Sequence, residues 1–188
     1  MVHGCPHRPI PGTSKALCRE YSADSHKKEA SASTIEICDD DPEIFQVMME
    51  FFYNMELEAS TPPFNGQALD KYISDKVVPI ILLDALAKKY DARMLQCAAA
   101  QAFTKSMTKW PRSITTNNLE TLVHSHYPFC TGTMCDMGEA IVTFLLKSPG
   151  QFLKSGHGTK ILDLVKEYGN FGADLYVLGI RSGKLVTA

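Results

Sequence analysis

The segment Ile35–Tyr53 constrains the fold most, because a strand pattern runs directly into a helix pattern. Polar and apolar residues alternate along Thr34–Cys38, which predicts a short β-strand with one apolar face. Asp41 follows as a good helix N-cap, and Pro42 fits the first helical position. Beyond them, apolar residues recur at intervals of three and four, at Phe45, Met48, Met49 and Phe52. We therefore expect an amphipathic helix that turns this face toward the core.

The remainder of the chain has the patterns of helices joined by short breaks. A second apolar stripe begins at Pro79, the chain turns at Asp91, and a further helix follows. After Trp110 and Pro111, helix patterns cover 116–125, 136–147, 159–168 and 171–180. A small edge strand is predicted at 57–59. No fixed period recurs, which indicates a second helical layer rather than a repeat array.

Three runs resemble one known family. The run IEICDDDPEIFQVMMEFFYNMEL resembles the strand-to-helix signature of BTB/POZ domains, and LLDALAKKYDARMLQCAAAQAF is similar to the helix pair that follows it in that family. The run ILDLVKEYGNFGADL resembles the helical tail of fungal-type BTB proteins. The resemblance implies an α+β fold that is predominantly helical, and a protein–protein interaction module that serves as a scaffold or ubiquitin-ligase adaptor.

The resemblance also implies a division of the chain into three parts. Residues 1–26 form an irregular N-terminal arm with a short helix, 27–109 form the BTB/POZ-like domain, and 110–188 form a helical extension. The first strands of the family's domain have no counterpart here, because only Val2-His3 and Cys5–Arg8 look like remnants of them. Those strands contribute to the family's dimer contact. We therefore expect a truncated domain that pairs with itself weakly or not at all.

Partner binding is assigned to two short elements. In cullin-binding BTB domains, an apolar residue before a glutamate anchors the domain on the scaffold. The matching positions here put an ammonium group where the apolar anchor belongs, so we expect cullin binding to be weak or absent. The residues assigned to partner binding are Lys27, Lys28, Glu29, Tyr53, Asn54 and Met55.

Composition narrows the remaining classes of function. The net charge of −2 gives no electrostatic reason to expect nucleic-acid binding. The longest apolar run, Val77–Leu83, is too short for a membrane helix, and the first residues do not resemble a signal peptide. Six irregularly spaced cysteines are typical of reduced thiols, which indicates an intracellular protein of the cytoplasm or nucleus.

The rival function is metal binding between His124 and Cys135. Two imidazoles and two thiols are suitable ligands for tetrahedral zinc. A Cys-x-x-Cys pair is missing, however, and a His-x-His spacing on a helix end points the two rings apart. The sequence therefore predicts no metal and no cofactor. The alternative site consists of His124, His126, Cys130 and Cys135.

Enzymatic motifs are missing from the sequence. It contains no nucleophile elbow, P-loop or dinucleotide fingerprint. Gly156-His157-Gly158 lacks the lysine and preceding strand of a phosphate-binding turn, and Asp39–Asp41 fit a helix cap better than a cation site. We therefore expect a binding protein rather than an enzyme.

Overall fold

The computed structural model describes residues 39–57, 70–108, 114–147 and 158–184. The α-helices in these ranges are α1 (Pro42–Asn54), α2 (Val78–Lys89), α3 (Arg93–Thr108), α4 (Thr116–His126), α5 (Asp136–Lys147), α6 (Gly158–Glu167) and α7 (Gly169–Arg181). A π-helical turn, Ile73–Val77, leads into α2, and a 3-10 turn, Tyr127–Phe129, follows α4. All of these elements belong to the unit Asp40–Ala188.

The predicted α+β fold class is wrong, because this part of the chain is all-α. Helices make up 82% of the described residues, and none of those residues is in a strand. The apolar faces of the helices are covered by other helices, so no sheet is needed to bury them. The strand predicted at Thr34–Cys38 lies outside the described residues. Leu57 is irregular, and the rest of the small strand predicted at 57–59 also lies outside them.

The predicted start of α1 is confirmed. The Asp41 carboxylate accepts hydrogen bonds from the backbone N–H groups of Glu43 at 2.9 Å and Ile44 at 3.3 Å. Pro42 occupies the first turn, where its missing N–H costs no helical hydrogen bond. At the other end, Met55 adopts a left-handed conformation with φ of 57° and closes the helix. Local sequence signals therefore set the start of α1.

The predicted core face of α1 is wrong in part, because Met48 is buried as predicted but Met49 and Phe52 are not. Ile44, Met48 and Phe51 are the buried residues of the helix. Met49 and Phe52 are instead 37% and 46% exposed. The helix carries apolar residues in adjacent pairs, so two stripes rotated by one residue both satisfy the helical spacing. Packing against α2 selects the stripe that begins at Ile44.

Two clusters of buried side chains form the core of this unit. The smaller cluster joins α1 to α2 and the start of α3 through Phe51, Leu83 and Leu95. The larger cluster runs from Tyr72 to Leu178 and includes buried side chains from α3, α5 and α7. The predicted domain boundary at 109/110 falls outside the described residues and stays a prediction. Within the described ranges, no helix is both long enough and apolar enough to cross a membrane.

Candidate metal centre

The segment between α4 and α5 folds back on itself and brings distant side chains together. His126 is the last residue of α4, and Cys135 immediately precedes α5. Met134 has a positive φ of 58°, and its backbone N–H donates a 2.7 Å hydrogen bond to Asp174 Oδ1 on α7. Asn170 on the same helix donates to the carbonyl oxygen of Cys130 at 2.9 Å. The segment is therefore held against α7 at Cys130 and at Met134, the residue before Cys135.

His126, Cys130 and Cys135 converge at this fold-back. Their potential ligand atoms all lie within 4.8 Å of one another. His126 Nε2 is 3.3 Å from Cys135 Sγ, and the two sulfurs are 3.5 Å apart. His126 and Cys130 are buried, and Cys135 is half-buried. The three side chains form a small polar cluster that is largely removed from water.

These separations match the size of a tetrahedral zinc site. Zinc–sulfur bonds of ~2.3 Å and zinc–nitrogen bonds of ~2.05 Å, at tetrahedral angles, place two sulfurs about 3.8 Å apart and a nitrogen and sulfur about 3.6 Å apart. The observed sulfur–sulfur distance of 3.5 Å and nitrogen–sulfur distance of 3.3 Å are both slightly shorter. Both distances are within a few tenths of an ångström of the spacing that a bound ion requires, and all three atoms lie within 4.8 Å of one another.

A buried carboxylate from α2 faces the other side of the imidazole. Asp84 Oδ2 is 3.8 Å from His126 Nδ1. Asp84 also pairs with Lys88, whose Nζ is 2.7 Å from the same oxygen, although the angles of that contact do not make a hydrogen bond. An acceptor near Nδ1 favours the tautomer that leaves Nε2 unprotonated and free to bind a metal. Asp84 is therefore placed to orient the imidazole ligand.

The two thiols hold their protons unequally. The pKa of Cys130 is lowered to about 6, chiefly because Cys135 donates a hydrogen bond to its sulfur, and the nearby Lys88 charge adds to the effect. The pKa of Cys135 is raised to about 12 by that same hydrogen bond and by burial. Burial of the Cys130 thiol opposes the lowering, whereas a backbone hydrogen bond at Gly132 adds to it. The interactions that lower the pKa outweigh burial, so at neutral pH the pair carries one thiolate.

Lys88 supplies a positive charge next to this thiolate pair. Its Nζ is 3.8 Å from Cys135 Sγ. Burial alone would lower the pKa of Lys88, but the Asp84 carboxylate raises it above its ordinary value, so the ammonium stays charged. A divalent ion bound to two thiolates would form a group with no net charge, so it would not repel the Lys88 ammonium. The positive charge of Lys88 is balanced by the Asp84 carboxylate.

Gly138 on α5 packs closely against the cluster. A Cβ atom at this position would lie 2.7 Å from Asp174 Oδ2, 3.2 Å from Cys135 Sγ and 3.4 Å from His126 Nε2. Asp174 is buried, and its Oδ2 accepts a 3.1 Å hydrogen bond from Tyr127. Burial raises the pKa of Tyr127 far above its ordinary value, so this hydroxyl stays a donor. The absence of a side chain at Gly138 thus allows a thiol, an imidazole and a carboxylate to approach the backbone of α5 closely.

His124, the fourth predicted ligand, does not join the cluster. Its Nδ1 lies 3.0 Å from the Tyr168 hydroxyl and 3.8 Å from a carboxylate oxygen of Glu167. The side chain is 43% exposed. The prediction that the two rings of the His-x-His pair point apart is correct, but one of them still meets both cysteines.

Three of the predicted partner-binding residues lie apart from this cluster, and the other three lie outside the described residues. Tyr53, Asn54 and Met55 are exposed at the end of α1, and Lys27–Glu29 lie outside the described residues. Asp84 and Lys88 were missed by the sequence analysis. Their spacing of four residues indicates only an ordinary helix-surface ion pair. No local pattern connects them with His126, more than thirty residues later in the chain.

Comparison with protein-family models, curated proteins and solved structures finds no match to this chain. The site is therefore interpreted from its own geometry.

Proposed function

We propose that this chain is a zinc-binding protein whose ligands are His126 Nε2, Cys130 Sγ and Cys135 Sγ. The observation that supports the proposal most strongly is the convergence of these atoms within 4.8 Å. Two sulfurs and one nitrogen are ligands that zinc accepts, and their spacing fits its bond lengths. The metal would link the end of α4 to the start of α5. The segment between these two helices also contacts α7 through hydrogen bonds. The primary role is then stabilisation of this helical unit.

Metal analysis of purified protein tests this proposal directly. We expect one zinc per chain after exposure to excess zinc and removal of loosely bound ions. Cys130→Ser and Cys135→Ser should each lower zinc affinity roughly a thousandfold, since each removes about a third of a total binding free energy near 12 kcal/mol. With cobalt in place of zinc, thiolate-to-metal absorption should accompany tetrahedral bands in the native chain and weaken in either variant.

Matched controls separate this site from adventitious binding. Cys97→Ser changes a thiol on α3 that lies outside the cluster, and His124→Ala changes the neighbouring histidine that points away. Both variants should bind zinc like the native chain. Substoichiometric zinc in the native chain, or full zinc retention in Cys130→Ser, would contradict the proposal.

A second candidate function is self-association through the exposed apolar end of α1. Phe52, Tyr53 and Met55 are 46%, 82% and 52% exposed, and Met49 adjoins them on the same helix. Adjacent exposed apolar side chains are a common feature of protein interfaces. This surface is consistent with the interaction role implied by the BTB/POZ resemblance, which the comparisons do not support.

Sedimentation over a range of concentrations tests the second candidate. We expect weak, reversible dimerisation of the native chain and its loss in Phe52→Asp. Gln46→Asp, an equally exposed change elsewhere on α1, is the control. A native chain that stays monomeric at high concentration, or a dimer unaffected by Phe52→Asp, would exclude this surface as the contact.

A further inference from the structure

A groove of about 700 Å³ lies between α3 and α5, and none of the three proposed metal ligands lines it. The two helices run side by side in the same direction. Near their starts, Cys97 Sγ lies 3.3 Å from Asp136 Oδ2, and near their ends the rings of Phe103 and Phe144 are 6.4 Å apart. The groove therefore follows the two helix axes rather than forming an isolated pit.

Residues lining the groove recur every three or four positions on both helices, so each helix contributes one continuous stripe. Small side chains, Ala100 and Ala140, lie along it, and Phe144 adds an aromatic surface. The α3 stripe spans Cys97 to Thr108, which corresponds to a helix length of about 17 Å. Small residues allow close approach of another backbone, and this length matches about three turns of helix.

The charges in the groove are segregated along its length. Asp136 and Glu139 line it at the starts of the helices, whereas Lys105 and Lys147 line it near their ends. The Asp136 carboxylate is 3.8 Å from Arg93 and accepts a hydrogen bond from the Cys97 thiol, so its negative charge is partly balanced. Both lysines are exposed. A complementary partner must therefore carry acidic groups at one end and basic groups at the other.

We propose that the groove binds an amphipathic helix of a partner protein, acidic in its first turn and basic in its last turn, lying antiparallel to α3 and α5. In this direction its acidic first turn meets Lys105 and Lys147, and its basic last turn meets Glu139. Its dipole also opposes those of the two parallel helices, which favours the antiparallel direction. A helical partner suits a long groove with separated charges better than a compact ligand with one charged group.

Fluorescence anisotropy with a synthetic helical peptide tests the proposal. The probe is a labelled peptide of about 15 residues with one leucine stripe, two glutamates in its first turn and two lysines in its last. A second peptide has lysines at both ends, and a third has the probe's composition with the leucine stripe scrambled. The native chain should bind the probe roughly five- to tenfold more tightly than the all-lysine peptide, and should bind the scrambled peptide least.

Charge reversal of the groove gives the decisive comparison. In Lys105→Glu/Lys147→Glu, the all-lysine peptide should become the tighter ligand, and higher salt should reduce the difference in both proteins. Both lysines are exposed, and unchanged circular dichroism would confirm that the fold is retained. Lys166→Glu/Lys184→Glu, which changes exposed lysines outside the groove, should keep the native preference.

Three results would overturn the proposal: no measurable probe binding, equal binding of the scrambled peptide, or a peptide preference that ignores the charge reversal. Tight binding of the native chain to itself, in competition with the probe, would identify a second copy as the occupant and would also overturn the partner assignment.

Discussion

The first helix and the segment from His126 to Cys135 differ in how they use chemically distinctive side chains. Helix α1 has clear local signals at its start but leaves Phe52 and Tyr53 exposed. The segment His126–Cys135 has little regular pattern, yet it places three potential metal ligands in a largely buried cluster. Strong local patterning therefore identifies an element without locating the site. Convergence of side chains from separate elements locates it instead.

The largest expected effect distinguishes the two apolar faces of α1. Phe51 is 4% exposed and Phe52 is 46% exposed. Phe51→Ala should lower the free energy of unfolding by about 3 to 5 kcal/mol through lost burial and a cavity, whereas Phe52→Ala should cost less than about 1 kcal/mol. Urea denaturation measures both. Equal losses of stability would mean that both faces of α1 are buried. The difference between α1 and the segment His126–Cys135 would then disappear.

A second prediction tests the close packing of the cluster against Gly138. Gly138→Ala places a methyl group 2.7 Å from Asp174 Oδ2 and 3.2 Å from Cys135 Sγ. Displacement of these groups should lower zinc affinity about 100-fold, the upper range for changes next to metal ligands. Competition with a chromophoric chelator measures the affinity. Gly169→Ala is the control, because a Cβ there meets no atom within 4 Å. Full affinity in Gly138→Ala would place the ion elsewhere.

The third prediction concerns the pH dependence of zinc binding. The pKa of Cys130 is lowered to about 6 and that of Cys135 is raised to about 12, so between these values zinc must displace one thiol proton. Affinity should therefore rise about tenfold for each pH unit between pH 7 and 8.5, and fall more steeply below pH 6, where Cys130 is also protonated. A hundredfold rise per unit near pH 7.5 would show that both thiols are protonated in the metal-free protein.

The smallest expected effect concerns the cap of α1. Asp41→Ala removes the acceptor for two backbone N–H groups and should cost about 1 kcal/mol of unfolding free energy. Asp41→Ser keeps a capping oxygen and should recover most of that loss. Thermal denaturation of the two variants provides the measurement. If both variants are as stable as the native chain, the cap contributes little to the free energy of unfolding. The difference between α1 and the buried segment His126–Cys135 would then be larger.

Several helix positions were predictable to within a residue or two, although the helix predicted to begin at Pro79 follows helical residues that start at Asp70. The predicted helix 136–147 coincides with Asp136–Lys147, and 159–168 is displaced by one residue from Gly158–Glu167. Such boundaries depend on capping groups, prolines, glycines and spacing, all of which are local in the sequence. The fold class was wrong because it rested on a strand predicted from the alternating residues Thr34–Cys38 and on the BTB/POZ resemblance, whereas the described residues contain helices and no strand.

The candidate site was predictable only in part. The sequence analysis named His126, Cys130 and Cys135 among the alternative ligands, but it also included His124, which points away. A His-x-His pair alone does not show which ring turns inward, because the answer depends on what packs against the end of α4. Asp84 was missed for the same reason, since its place beside the imidazole arises from the packing of α2 against α4.

The sequence by itself determined where α1 begins, that helices dominate the chain, and which side chains have the chemistry of a metal ligand. Each of these properties depends on neighbours within a few residues. Only the tertiary structure decided that Phe51 rather than Phe52 faces the core, and that His126 rather than His124 meets the cysteines. Adjacent apolar residues and alternating histidines satisfy the same local rules. The choice between them depends on which face another helix covers, and that information lies far away in the sequence.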